Sequence, residues 1–328
     1  MWRGTVGKVR FMPQTNSRRV WVPFGQSAKE VPEGLVADVF TGVDVDAPGG
    51  IPDSIDEVEF FVLPYLFINA HPELMARMPR LKVAQTLTAG YENVVPHVPA
   101  GVTLCNARGL HDASTAELAV TLTLSALRGI PRYVRQAEHG DWSPTYLDGG
   151  GAVDDALADK TVLILGYGSI GSAIERRLAG FEVEVLRVAR TARDGVHALT
   201  EIDTLLPRAD VVITVVPATD ETRGMIDAPF LARMKDGALL VNVARGVVAR
   251  TDALMAECAS GRLRAAMDVT DPEPLPQDHP LWRTPNVLIT PHVGGASSAF
   301  LPRALRVIEE QLGRWAAGEE LTNVVWTG

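Results

Sequence analysis

The chain has 328 residues, too many for one ordinary core and suited to two domains. Its 46% hydrophobic and 22% charged residues are those of a soluble globular protein, and a formal net charge of −9 argues against a nucleic-acid binder, whose phosphate contacts need a basic face. Two cysteines, Cys105 and Cys258, match no metal-ligand spacing and fit a reduced, cytoplasmic setting; no secretory pattern is visible, and no uncharged apolar run approaches the ~18–20 residues of a membrane helix.

Four short apolar runs in the first hundred residues predict buried strands: RVWVPF (19–24), LVADVF (35–40), VEFFVLP (58–64) and LKVAQTL (81–87). A helical stretch, NAHPELMARMP, lies between the last two, and the alternation implies a parallel sheet with crossover helices. In HDASTAELAVTLTLSALRG, Ser114 and Glu117 have capping-box spacing before a long buried helix that Gly129 ends. Pro131 opens the next helix, and residues 143–160, rich in Gly and Asp, read as an exposed connection.

A second series begins at Lys160. Its strands are TVLILG (161–166), VEVLRV (183–188), DVVITVVP (210–217), ALLVNVA (238–244), AAMDV (265–269) and VLITP (287–291), most of them separated by helical segments. This is the pattern of a second doubly wound parallel sheet, so the fold class is α/β with two such domains. The last helix, LPRALRVIEEQLGRWAAG, follows the series and is expected to return to the first domain. The expected domains are 1–108 with 298–328 for substrate and 109–297 for a dinucleotide, with a cleft between them.

Gly166, Gly168 and Gly171 stand at G-x-G-x-x-G spacing between a strand and a helix. They allow in turn a tight bend, approach of a pyrophosphate to the backbone, and close helix–strand packing; the helix N-terminus offers N–H groups to the anion. Tyr167, Ser169 and Ile170 fill the same loop. At the tip of the next strand NAD-binding chains carry an acid for the ribose 2′-hydroxyl. Here the tip reads Val188, Ala189, Arg190, Thr191, within the run LRVARTAR. The acid is missing, Arg190 and Thr191 can hold a phosphate, and Arg193 adds a second cation, so NADP is expected over NAD. A solvated arginine cluster is the alternative.

Arg245 in VNVARG, Glu273 in MDVTDPEPLP and His292 in ITPHVGG sit at or beyond strand ends, where ligands bind in such sheets. A 2-oxo acid requires a cation for its carboxylate, a proton for its carbonyl oxygen and a hydride. Arg245, His292 assisted by Glu273, and a nicotinamide meet those three requirements. Each of the three side chains could instead be structural. His279, in a loop with no strand to aim it, is read as structural beside Trp282.

Taken in order, TLTAGYENV, CNARGLHDASTAELA, ILGYGSIG, VVITVVPATDETRGMID, LVNVARG, AAMDVTDPEPLPQDHPLW and NVLITPHVGG resemble the D-isomer-specific 2-hydroxyacid dehydrogenase family over nearly the whole chain. The resemblance implies a flavodoxin-like substrate domain and a Rossmann cofactor domain. It implies Arg245, Glu273 and His292 as the catalytic set, and Asp268 as the holder of the nicotinamide carboxamide. Val216, Pro217 and Ala244 fall along the dinucleotide, and Ala89 and Gly90 in the substrate-carboxylate cradle. The ARTAR tip is similar to that of NADPH-linked glyoxylate/hydroxypyruvate reductases. Formate dehydrogenases carry Gln where Glu273 stands, and phosphite dehydrogenase carries a Lys near Ala89, which disfavours both branches.

The helix from about Ser114 is a dimer element in the family, so a homodimer is expected. Trp142 resembles a tryptophan that reaches the partner's pocket; the alternative is a buried anchor closing its own helix. Substrate size is expected to depend on loops around 64–68 and 88–92. Two other readings stay open: a dinucleotide-sensing co-regulator without turnover, and a pathway enzyme for a larger or phosphonate-bearing acid.

Overall fold

The computed structural model describes residues 17–65, 70–144 and 153–327. Residues 66–68 of the expected substrate loop and 145–152 of the expected connection lie outside the described residues. The chain divides into two compact units: residues up to Ala107 with those from Pro302 onward, and Arg108–Leu301.

The first unit contains β1 (Arg18–Val22), α1 (Gly25–Lys29), β2 (Leu35–Val39), β3 (Val58–Val62), β4 (Val83–Gln85) and β5 (Thr103–Cys105). These strands are parallel in the order β5-β4-β3-β1-β2, the 2-1-3-4-5 arrangement of flavodoxin-like sheets. The stretch expected as a helix before β4 is a 3-10 turn, Pro72–Arg77, entered by His71 in the left-handed region. The core is aromatic: Trp21 stacks on Phe40 at 5.0 Å and meets Phe61 edge-on at 5.9 Å, while its indole N–H donates to Ser54.

The second unit begins with α2 (Asp112–Leu127) and α3 (Ile130–Glu138). Next come β6 (Thr161–Leu165), α4 (Ser169–Leu178), β7 (Glu184–Ala189), β8 (His197–Ala198), α5 (Ile202–Leu205) and β9 (Val211–Thr214). The series ends with α6 (Ala228–Ala232), β10 (Leu239–Asn242), α7 (Thr251–Ala259), β11 (Arg264–Met267) and β12 (Val287–Ile289). The sheet order is β12-β11-β10-β9-β6-β7-β8, all parallel, with its switch point between β6 and β9. Both faces are covered, which is why the strands read as unbroken apolar runs. Leu163, Val212, Leu240 and Ala265 share one face with Leu231 and Leu254, and Ile164, Ile213 and Val241 share the other with Ala119 and Ile174.

The capping box expected at Ser114 and Glu117 does not form. Helix α2 starts three residues earlier than that box would place it, with His111 at the N-cap position, Asp112 as its first residue and no side-chain cap. Ser114 is therefore buried inside the first turn, and its hydroxyl donates back to the His111 carbonyl. Helix α8 (Phe300–Ala317) leads back to the first unit. There the chain adds a strand that the sequence reading lacked, β13 (Val324–Thr327), antiparallel to β5.

Candidate active site

At the end of β6 the chain turns sharply through Gly166, whose φ of 107° suits only glycine. A Cβ there would lie 2.7 Å from the Val215 carbonyl, so Gly166 and the segment entering Val216 are in close contact. The N–H groups of Gly166 and Tyr167 both donate to the Val188 carbonyl and tie the loop to the β7 tip. A Cβ on Gly171 would lie 2.6 Å from the Gly166 carbonyl oxygen, so glycine there lets α4 pack against the turn. Gly168 differs: nothing stands within 4 Å of the place a Cβ would take. Helix α4 starts beside this open space with no side-chain cap, so its first N–H groups and positive dipole end suit the pyrophosphate of a dinucleotide.

The three arginines of the β7 tip have different fates. Alternation along β7 turns Leu186 and Val188 into one core face and Arg187 toward α4. There Arg187 binds the Glu175 carboxylate with Nε (2.9 Å) and Nη2, and Tyr167 donates its hydroxyl to the same group. The bond to Arg187 holds Glu175 below its ordinary pKa, and the bond to Glu175 holds Arg187 above its own. Arg187 is thus committed inside the unit. Arg193 donates to the Tyr167 carbonyl at 2.5 Å. Arg190 is exposed at the strand end, next to exposed Thr191, and pairs with no carboxylate among the described residues. Pro217, on the far side of the glycine turn, has its carbonyl taken by the Thr222 hydroxyl.

Arg245, Glu273 and His292 each follow a strand of this sheet, β10, β11 and β12 respectively. His292 has φ of 51°, unusual for a residue with a side chain, and its N–H donates to the Asp268 carbonyl at 2.7 Å. The buried Asp268 carboxylate braces the rest of the loop. Oδ1 accepts from Thr290 Oγ1 (2.6 Å) and the Val293 N–H (2.9 Å), and Oδ2 accepts from the Gly294 N–H (2.8 Å). Thr115 of α2 donates to the Gly294 carbonyl. Asp268, expected beside the nicotinamide, thus also shapes the turn that presents His292, as do Thr115 and Thr290, which sequence reasoning missed.

His292 Nδ1 lies 2.5 Å from Glu273 Oε1. That bond holds the imidazole above its ordinary pKa, against partial desolvation and the nearby Arg245 charge, although the two side chains stay 47% and 39% exposed. The same bond, with help from the Arg245 charge, holds Glu273 below the usual carboxylate range. The charge of Arg245 thus acts on both members of the pair. Its guanidinium donates to the Ala244 carbonyl at 2.7 Å. A Cβ on Gly246 would fall 1.8 Å from the Thr270 carbonyl oxygen, so the Arg245 turn lies directly against the backbone leading to Glu273.

In the first unit, the carbonyls of Thr88, Ala89 and Gly90 accept from the Ala107 N–H, Asn106 Nδ2 and Thr88 Oγ1. The N–H groups of Ala89 and Gly90 make no hydrogen bond among the described residues, which leaves donors for an anion.

Other candidates carry less chemistry. His279 caps the 3-10 turn Pro280–Arg283, its Nδ1 accepting from the Leu281 N–H, and the Trp282 indole donates to Pro276. Burial pushes the thiols up to about 11 for Cys105 and about 12 for Cys258, so neither is a ready nucleophile. An open groove of about 870 Å³ runs along α7 between Arg250, Met255, His279 and Arg283, and none of Arg245, Glu273 or His292 lines it. Trp142 is 96% exposed, so the buried-anchor reading is corrected: α3 ends at Glu138 and the indole stands clear of it. No helix among the described residues is long and apolar enough to cross a membrane.

The model for the D-isomer specific 2-hydroxyacid dehydrogenase NAD-binding domain matches residues 120–294, which hold the glycine loop and all three of Arg245, Glu273 and His292. The chain is 34% identical over 238 residues to the glyoxylate reductase of Thermofilum pendens, covering 69% of each chain. It is 33% identical over 232 residues to the glyoxylate/hydroxypyruvate reductase B of Yersinia enterocolitica, covering 68% of this chain and 71% of that one. The D-isomer specific 2-hydroxyacid dehydrogenase of Xanthobacter autotrophicus, solved with NADPH and MES, matches with a TM-score of 0.76 at 30% identity, over 94% of this chain and 98% of that one. The chain belongs to the D-isomer specific 2-hydroxyacid dehydrogenase family of oxidoreductases.

Proposed function

We propose that this protein reduces a small 2-oxo acid of the glyoxylate or hydroxypyruvate type to the 2-hydroxy acid with NADPH. The single observation that carries the reading is the 2.5 Å contact of His292 with Glu273 within the field of Arg245. Bound NADPH supplies the hydride that the carbonyl carbon accepts. Arg245 pairs with the substrate carboxylate and polarises the carbonyl. With the ring protonated, Nδ1 donates to Glu273 and Nε2 delivers its proton to the carbonyl oxygen. The imidazole is left neutral and takes its next proton from solvent. Ala89 and Gly90 serve the carboxylate through their N–H groups.

The unit Arg108–Leu301 holds the dinucleotide in this reading, and the other unit serves the substrate. Gly168 and the α4 N-terminus take the pyrophosphate, Asp268 the carboxamide, and Arg190 with Thr191 and Arg193 the 2′-phosphate. The exposed Arg190, which pairs with no carboxylate among the described residues, supports NADP over NAD, as does the absence of an acid at the strand tip. The relatives named glyoxylate reductase support the substrate class. The two buried thiols suit the reducing cytoplasm. A homodimer belongs to the same reading. Eight of the sixteen residues of α2 are already buried inside the unit, and just after it Ile130, Val134 and Trp142 offer apolar side chains to a second copy, at 47%, 54% and 96% exposure. Sedimentation of the purified protein as a monomer would remove this element.

The deciding experiment is a panel of 2-oxo acids assayed with NADPH and NADH in parallel. Turnover is expected to be fastest with glyoxylate or hydroxypyruvate and NADPH. Absence of turnover across the panel rejects the reading.

A further inference from the structure

Asn242 ends β10 in the middle of the seven-stranded sheet, between Thr214 and Met267, and is fully buried. A primary amide in such a place is costly unless both of its ends are hydrogen-bonded. Both are. Oδ1 accepts the Ala244 N–H at 3.0 Å, and Nδ2 donates to the Arg245 carbonyl at 3.1 Å. The two bonds grip the backbone on either side of the peptide that joins Ala244 to Arg245. The amide makes them although the Thr214 hydroxyl, opposite in register, is buried and has no hydrogen-bond partner among the described residues. Beyond Arg245, Gly246 lies flat against the Thr270 carbonyl. The root of Arg245 is thus held from one side by the Asn242 amide and from the other by the backbone leading to Glu273.

We infer that Asn242 is a positioning residue for the reaction, its amide fixing the Ala244–Arg245 turn so that the Arg245 guanidinium meets the substrate. The inference rests on the proposed role of Arg245. The residue type follows from the chemistry. The turn requires one acceptor and one donor on a short, planar, uncharged side chain. Aspartate keeps the acceptor and loses the donor, leucine loses both, and glutamine is a methylene too long for a closed turn. The backbone oxygen of Asn242 also accepts the Asp268 N–H, so the same residue ties the turn to the strand that carries the brace of the His292 loop.

A double-mutant cycle on the full chain tests this. Asn242→Ala, Arg245→Ala and the double variant are compared by kcat and KM for glyoxylate and by the Kd for NADPH, read from nucleotide fluorescence. Asn242→Ala is expected to lower kcat/KM about 10–100-fold, with a raised KM for glyoxylate and an NADPH Kd within about threefold of the parent; these sizes follow from losing alignment of one charged contact. On the Arg245→Ala background the same change is expected to have little further effect. Asn242→Asp, which keeps the side-chain volume, is expected to show the same pattern and serves if the alanine variant does not fold. An undiminished fall in kcat/KM on the Arg245→Ala background overturns the inference and leaves the role of Arg245 standing. Loss of NADPH affinity in parallel with turnover in both Asn242 variants also overturns it, since it marks general damage to the sheet. A normal kcat/KM in Arg245→Ala overturns the assignment of Arg245 and the inference with it.

Discussion

Nδ1 of His292 lies 2.5 Å from Oε1 of Glu273, two side chains nineteen positions apart on separate loops. Glu273 raises the pKa of His292 above the usual 6.5, and His292 lowers that of Glu273 below 4.5. Reduction consumes the proton on His292. Its rate is therefore expected to be full below the raised value and to fall as pH rises through it. The pair's contribution to stability has the same upper edge, and is lost again as pH falls through the depressed value of Glu273. In Glu273→Gln the imidazole loses its chief support, so the alkaline fall in kcat/KM for glyoxylate is expected at lower pH. A profile unmoved by Glu273→Gln would sink the pairing.

Arg190 pairs with no carboxylate among the described residues, while its neighbour Arg187 is saturated by Glu175. Charge-assisted hydrogen bonds to a phosphate contribute roughly 1.5–3 kcal/mol, so Arg190→Ala is expected to raise the KM for NADPH about tenfold or more. The KM for NADH is expected to change little. Arg187→Ala acts through Glu175 and Tyr167, so its effect is expected on both nucleotides alike. Initial rates with the two nucleotides check both variants, and equal effects of Arg190→Ala on each would remove the 2′-phosphate from this site.

Arg245 acts by charge and by shape. Arg245→Lys keeps the charge and loses the two-pronged geometry that matches a carboxylate. Removing a group of this kind costs roughly 10²–10³ in rate. Arg245→Ala is expected to fall in that range for kcat/KM with glyoxylate, and Arg245→Lys to recover only part of it. Full recovery by lysine would mean that the paired hydrogen bonds do not matter.

Gly246 has no room for a side chain, because a Cβ would lie 1.8 Å from a backbone oxygen that cannot swing away. Gly246→Ala must push the Arg245 turn off the Thr270–Asp271 backbone. Overpacking of this kind costs roughly 1–3 kcal/mol, which for a domain of this size lowers Tm by several degrees. Activity is expected to fall more steeply than stability, since the displaced turn carries Arg245. Calorimetry beside steady-state kinetics checks this, and an active, undestabilised Gly246→Ala would show that the turn has slack.

Four of the six strands of the first sheet and six of the seven of the second are legible in the sequence, since strands buried on both faces must be short apolar runs and the glycine turn can work only between such a strand and a helix; β5 and β8, of three and two residues, are too short to leave such a run. Arg245, Glu273 and His292 are legible as polar residues placed just after three of those runs. Alternation along a strand could even have separated Arg187 from Arg190, because it sends residue 187 toward α4. Tertiary structure decided the rest, because contacts across the fold have no local trace. The start of α2 is one such case, set at Asp112 although Ser114 has the better local capping chemistry. Strand β13 is another, a short run that becomes a strand only where the β5 edge is open to it. The Asn242 amide and the Asp268 carboxylate are the remaining cases. Both look like ordinary polar residues at strand ends, and burial is what obliges each to satisfy its hydrogen bonds on the backbone of a neighbouring loop.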